Sequence, residues 1–210
     1  MNGTVFIVDD DAAVRRALAA ILEGEGFTVL PFESAEEFLE TCESQATGCV
    51  LLDLRLQGMD GLQAQDAIAA RGITLPIIFL TGHGDIPKSV RAMKAGAIDF
   101  LQKPVAADTL LARVYSALRI DEARRGERQK KEQANALLAR LTAREEQVLK
   151  RILAGRSAKQ IGKELGISPR TIEVYRKNVL LKTQCANLLA LSDLYRVARE
   201  ETAVGKSQMG

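Results

Sequence analysis

Four consecutive residues with no polar position, Cys49-Val-Leu-Leu52, run into a carboxylate, Asp53, and the glycines at 58 and 61 then break the chain into a loop. A strand so uniformly apolar suits the middle of a parallel sheet that is covered on both faces. Sheets of that kind bind ligands beyond the carboxyl ends of their strands, so an acid delivered there stands where chemistry is done. An acid that merely ends a strand and caps a loop has the same local pattern. The surrounding chain has to separate the two readings.

Before this strand, Val5–Val8 forms a short apolar run that leads into Asp9-Asp10-Asp11, and Val14, Leu18, Ile21 and Leu22 mark a helix from about Ala12 to Glu23. Gly26 closes that helix, Phe27–Leu30 reads as the second strand, and Ser34 with Glu37 is a capping box opening the next helix. After Asp53 come a helix near 62–71, a strand Ile77–Leu80 running into Thr81-Gly-His83-Gly-Asp85, a helix near 86–95, a strand Ala97–Leu101, Lys103-Pro104, and a helix from Ala107. Five strands alternating with five helices predict an α/β, doubly wound, five-stranded parallel sheet. Right-handed crossovers then put every strand's carboxyl end on one edge.

That edge gathers Asp9, Asp10, Asp53, Thr81 and Lys103. Three carboxylates crowded together repel unless a cation is present, and Mg²⁺ suits them because it takes one or two carboxylates and keeps positions for water and phosphate. Lys103 and the Thr81 hydroxyl supply a charge and a hydrogen bond for phosphate oxygens. A carboxylate in such a setting can attack a phosphoryl group and become an aspartyl phosphate. Asp11 reads as a helix N-terminal acid rather than a ligand, and His83 as a loop residue rather than a base.

Val8–Asp11, the Asp53 strand, Thr81-Gly82 and Phe100–Pro104 resemble the receiver domain of two-component response regulators over residues 1–118. The resemblance implies a CheY-like, flavodoxin-like fold in which Asp53 accepts a phosphoryl group from a sensor histidine kinase. It also implies Mg²⁺ held by Asp10, Asp53 and the Arg55 backbone carbonyl, with Asp9 acting more through water. Thr81 and Phe100 would be switch residues, Lys103 would pair with the phosphate, and the Lys103–Pro104 bond would be cis. Phe100 taken alone could be plain core, but its position three residues before Lys103 favours the switch role. Gln57 departs from the family, whose loop after the phosphoacceptor usually carries proline.

Charge divides the chain. Residues 1–118 hold 9 Lys/Arg against 16 Asp/Glu, whereas 140–199 hold 13 against 5, so the second half is suited to nucleic acid or simply has a solvated basic face. Between them, residues 119–139 predict a helical linker; residues 124–133 contain no apolar position, which favours a solvated helix over a coiled coil. Thr142 with Glu145 and Ser157 with Gln160 are capping boxes, Gly166-Ile-Ser168 is a tight turn, and Pro169 starts a helix to about Lys182. A last helix spans about 187–199, ahead of a flexible tail at 201–210. The spacing is that of a helix-turn-helix in a separate all-α four-helix domain, 140–200.

Leu141–Glu145, Gly155, Ile161, Leu165–Ser168, Thr171-Ile172 and Val179 resemble the LuxR/NarL-type DNA-binding domain, and its combination with a receiver is most similar to FixJ-type regulators. Thr183 departs, because an apolar residue is usual there. Ile172, Tyr175 and Val179 fall on one face as core. Arg170, Glu173, Val174 and Lys177 face a major groove, and Thr171, Arg176 and Asn178 contact phosphate, unless they are plain exposed helix residues. The last helix carries more leucine than one packing face needs, and the family resemblance implies dimerisation through Leu188, Leu191 and Leu194.

The expectation is a phosphorylation-activated transcriptional regulator: an Asp53 phosphoprotein that dimerises through its receiver and binds double-stranded promoter DNA, with RNA polymerase a further partner. It is not an enzyme beyond its own phosphoryl transfer and aspartyl-phosphate hydrolysis. One alternative is a DNA-binding regulator with an unphosphorylated receiver. Another is an Asp-nucleophile phosphatase, which needs a second acid where this chain has Arg55. No run approaches the ~18 apolar residues of a membrane span, and three scattered cysteines with a single His make a zinc site or disulfide framework implausible, as suits a cytoplasmic protein.

Overall fold

The computed structural model describes residues 3–82 and 86–200, and of residues 86–89 the backbone only. His83, Asp85 and the expected tail lie outside the described residues. The chain divides into two compact units that meet in sequence between Arg124 and Arg125.

In the first unit, β1 (Thr4–Val8), β2 (Thr28–Phe32), β3 (Cys49–Asp53), β4 (Ile77–Thr81) and β5 (Asp99–Gln102) form one sheet. Every pairing is parallel and the order is β2-β1-β3-β4-β5. The helices α1 (Ala12–Gly24), α2 (Ala35–Thr41), α3 (Gly61–Ala70) and α4 (Ile86–Lys94) join the strands. The order reverses between β1 and β3, the two strands that lead to Asp9 and Asp53, and such a switch point opens a crevice for a ligand.

Strand alternation explains the unbroken apolar run. Val50 and Leu52 pack with Phe6, Val8, Ile77 and Phe79 on one face, while Cys49 and Leu51 pack with Val5, Ile7, Ile78 and Leu80 on the other. Cys49 is a packing residue: burial, with Asp121 nearby, pushes its thiol up to about 12, far from a reactive thiolate.

Two strands start later than their apolar residues suggest. Gly26 and Gly96 adopt left-handed backbone, and the next N–H in each case reaches back five residues, Phe27 to the Leu22 carbonyl and Ala97 to the Ala92 carbonyl. These are Schellman closures of α1 and α4, so Phe27 and Ala97 finish helices rather than begin strands.

The stretch expected to form a helical linker, 119–139, falls almost wholly within one helix. α5 runs unbroken from Ala107 to Leu138. Its Asp121, only 3% exposed, accepts the Gly48 N–H at 3.1 Å, and Arg124 donates to the Thr74 carbonyl at 3.4 Å, so the first unit continues past residue 118. Towards its other end, Ala134 is buried and Leu138 packs against the core of the second unit.

The second unit contains α6 (Ala143–Leu153), α7 (Ala158–Leu165), α8 (Pro169–Lys182) and α9 (Leu188–Arg199). Both capping boxes are formed, Ser168 caps α8 with Pro169 in its first turn, and Asn187 caps α9. Val148, Ile161 and Ile172 centre one core cluster; Leu149, Val179 and Leu191 centre another. Between α7 and α8 the turn is tight: Gly166 is left-handed, and a Cβ on Gly162 would stand 2.6 Å from the Ile167 carbonyl oxygen. Thr183 is buried, and its hydroxyl is satisfied by donating to the Val179 carbonyl at 2.7 Å, which is how a polar residue sits in a usually apolar position.

Leu191 is corrected as a dimer residue. It is fully buried in its own domain, with Leu188 and Leu194 packed beside it, while the exposed leucine of α9 is Leu189 at 73%. A surplus of leucines on a helix does not by itself say which of them face inward.

Candidate functional site

The site lies at the carboxyl edge of β1, β3, β4 and β5. β1 ends at Val8 and delivers Asp9 and Asp10; β3 ends on Asp53 itself, β4 on Thr81, and Lys103 follows β5. Each carboxylate of Asp9, Asp10 and Asp53 offers an oxygen within 4.8 Å of the others. Asp9 and Asp53 are buried and Asp10 is half-buried, so the cluster opens to solvent on one side. Lys103 Nζ stands 2.6 Å from Asp9 Oδ2 and 3.0 Å from Asp53 Oδ2. Its backbone N–H donates to the Thr81 carbonyl at 2.8 Å, which fixes the start of the side chain beside the buried Thr81.

Asp11 is not part of the cluster. Its carboxylate accepts the Ala13 N–H at 2.7 Å and the Val14 N–H at 3.4 Å, making it the N-cap of α1. Asp9 is held from two sides: Oδ1 accepts the Asp11 N–H at 3.0 Å, and its backbone carbonyl accepts from the Arg15 guanidinium at 2.5 Å. The Lys103–Pro104 bond is cis. Phe100 is 48% exposed on β5, which removes the plain-core reading.

The protonation balance follows from this packing. Burial pushes the Asp53 carboxyl above its ordinary value; the Lys103 ammonium and the Arg55 backbone N–H pull it back, while Asp9 pushes the same way as burial. Burial pulls Lys103 down, but Asp9 and Asp53 together outweigh it, so its charge is held more firmly than that of a free lysine. The residues fit a hard divalent cation: the donor set is all carboxylate oxygen, and Asp9 Oδ2 is buried with no hydrogen bond of proper direction despite the nearby ammonium.

Close packing behind the site explains one of its glycines. A Cβ on Gly61 would stand 2.3 Å from the Asp53 carbonyl oxygen and 2.9 Å from Leu54 Cα. Two supporting residues carry no motif. Arg15 reaches Asp9 from six residues away, and Glu36 accepts the Met59 N–H at 2.9 Å. Neither spacing has a sequence signature.

In the second unit, Ile172 and Val179 are buried and Tyr175 is half-buried, while Arg170, Glu173, Val174 and Lys177 are exposed on α8. Thr171 pairs its hydroxyl with that of Ser168 at 2.8 Å, and Arg176 approaches Glu173 to 3.9 Å, the geometry of a weak exposed pair. Asn178 is half-buried on the same helix. At the base of α8, Lys182 Nζ lies 2.7 Å from the buried Glu145 carboxylate of the α6 capping box. Among the described residues no helix is long and apolar enough to cross a membrane.

Comparison with known proteins matches both halves. Residues 5–115 match the response regulator receiver domain and residues 139–195 the luxR family of bacterial regulatory proteins. The chain is 43% identical over 197 residues to the transcriptional regulatory protein FixJ of Bradyrhizobium diazoefficiens, covering 94% of this chain and 95% of that one. It is 39% identical to the response regulator protein TodT of Pseudomonas putida, over 92% and 84% of the two. Among solved structures, the response regulator StyR superposes with a TM-score of 0.84 at 42% identity, over 93% and 99% of the two chains. Full-length FixJ from B. japonicum gives 0.58 at 42%, over 93% and 97%.

Proposed function

Because the chain belongs to the transcriptional response regulators that join a receiver to a LuxR-type DNA-binding domain, we propose the following roles for its residues. The protein is a phosphorylation-activated transcriptional regulator. Asp53 is its phosphoacceptor. A carboxylate oxygen of Asp53 attacks the phosphorus of a phosphohistidine on the partner kinase; the Asp53 O–P bond forms, the N–P bond breaks, and the imidazole leaves. The observation that carries this is the Lys103 ammonium, 2.6 Å and 3.0 Å from Asp9 and Asp53, a charge already stationed where phosphoryl oxygens would arrive.

Asp9, Asp10, Asp53 and the Arg55 backbone carbonyl hold Mg²⁺, with Asp9 acting through water. When bound, the ion neutralises charge on the transferring phosphoryl group. Thr81 donates its hydroxyl to a phosphoryl oxygen and Lys103 pairs with another. The added charge, about two negative units, draws these residues in, and Phe100 turns from its exposed position. The receiver then dimerises through α4, β5 and α5; the exposure of Val90, Met93 and Phe100 on α4 and β5 supports this apolar face.

The dimer places two copies of α8 in successive major grooves of promoter DNA. Arg170, Glu173, Val174 and Lys177 face the bases, and Thr171, Arg176 and Asn178 the backbone. Leu188, Leu194 and the exposed Leu189 border the contact between DNA-binding domains. RNA polymerase is a further partner, and the protein works in the cytoplasm beside its kinase, with no turnover beyond its own phosphoryl transfer and hydrolysis.

The test is gel filtration and DNA binding in Mg²⁺, with and without beryllofluoride, on wild type and Asp53→Ala. Wild type should shift to a dimer and bind promoter DNA more tightly, and the variant should do neither. An unchanged wild type would overturn the phosphorylation switch.

A further inference from the structure

We propose that Glu36 is a positioning residue for the metal site, holding the β3–α3 loop near its α3 end, and with it the path of the loop back to the Arg55 backbone carbonyl, in the orientation a cation needs. This rests on the reading of Asp9, Asp10, Asp53 and Arg55 as the Mg²⁺ ligands. Both ends of that loop are fastened. Leu54 N–H donates to the Leu80 carbonyl at 3.0 Å and Gly61 N–H to the Leu54 carbonyl at 3.3 Å, while Asp60 and Gln63 close a capping box on α3. Two residues short of α3, Glu36 Oε1 accepts the Met59 N–H at 2.9 Å, from 23 residues away in sequence.

The neighbouring residue makes this contact possible. Gly58 is left-handed, and a Cβ there would meet Glu36 Oε1 at 2.9 Å, so glycine leaves open the path by which the carboxylate reaches the loop. On its own side Glu36 stands on a firm base. α2 is capped by Ser34 and buries Ala35, Phe38 and Leu39, and the adjacent Glu37 is turned to a different task, accepting the Glu33 N–H at 3.0 Å. α2 therefore presents Glu36 to the metal-site loop and Glu37 to the residue before its own cap.

A ligand carried on an untethered loop must be ordered when the ion binds, and that entropy is subtracted from affinity. The Glu36 bond is solvent-exposed, so its net worth is that of one ordinary hydrogen bond. Losing it should weaken Mg²⁺ binding by roughly two- to tenfold rather than abolish it. Glutamine at this position keeps an oxygen acceptor of the same reach and removes the charge, which separates a tether from a general electrostatic attraction.

The experiment uses the full chain as wild type, Glu36→Ala, Glu36→Gln and Glu37→Ala, with Mg²⁺ affinity measured by calorimetry. Exchange of the Met59 amide is followed by NMR in metal-free buffer. Glu36→Ala should lose affinity and lose Met59 protection. Glu36→Gln should restore most of both, and Glu37→Ala, which removes an equal charge from the same helical turn, should change neither. A wild type that takes up no Mg²⁺ sinks the assignment of the site and this inference with it. A wild type that binds while Glu36→Ala binds equally well sinks the inference alone, as do a Glu36→Gln as weak as the alanine variant or a Glu37→Ala that reproduces the loss.

Discussion

Gly61→Ala is expected to cripple phosphorylation of Asp53 while leaving the fold standing. The added methyl would lie 2.3 Å from the Asp53 carbonyl oxygen and 2.9 Å from Leu54 Cα, where real Cβ contacts keep at least 3.0 Å. Both obstacles are backbone, so relief requires a displacement of about 1 Å in the segment that carries Asp53, an overpacking cost of about 1–3 kcal/mol. Alanine recovers up to about 1 kcal/mol of helix propensity, less in the first turn of α3, so the receiver remains folded. A 1 Å misplacement of a reacting group costs about 10²-fold in rate. The assay is incorporation of phosphate from phosphoramidate in Mg²⁺, followed by mass spectrometry, with thermal unfolding run alongside. A Gly61→Ala rate within twofold of wild type would refute the reasoning, since it would mean the strand end absorbs the methyl without moving Asp53.

Three further outcomes follow from the second unit. Burial raises the Glu145 carboxyl, but Lys182 and Thr142 outweigh it and hold it below its ordinary value. A depressed carboxyl stabilises the fold above its unfolded pKa of about 4.3, and that stability is lost as pH falls through the folded value. Lys182→Met should therefore lower stability by about 1–3 kcal/mol at pH 7, discounted because the lysine is partly exposed, and flatten the acid dependence; calorimetric melts from pH 3 to 7 would show no flattening if the pair is idle. Leu191→Ala should cost about 2–5 kcal/mol of stability while Leu189→Ala stays within about 0.5, read by the same melts; equal losses would contradict the burial of α9. Lys177→Ala should weaken promoter binding and reduce the salt slope by about 0.9 in anisotropy titrations if it neutralises a phosphate; an unchanged slope with relaxed sequence preference would mark it as a base contact.

Local patterns were legible wherever the physics is local. Cap residues such as Ser34, Thr142, Ser157 and Ser168 announce helix starts because their side chains bond backbone two or three residues on, and all four are formed. Phe27 and Ala97 were harder, because an apolar residue after a glycine can either open a strand or close a Schellman motif, and only the 6→1 hydrogen bond tells which. The inward place of Leu191 has a related cause: helical spacing lists the candidates for burial but not the neighbours that bury them.

The sequence was enough to establish the alternation of strands and helices, the acids at strand ends, and a basic helix-turn-helix after an acidic half. Those features repeat with the period of the backbone or sit within a few residues of one another. Whether Asp9, Asp10, Asp53 and Lys103 converge is a matter of sheet order, which brings residues up to 94 positions apart within hydrogen-bonding reach. The same holds for Glu36 on Met59, Asp121 on Gly48 and Lys182 on Glu145, bonds that span 23, 73 and 37 positions. Contacts of that range have no periodic signature in the chain, because they depend on where crossovers and packing carry each element.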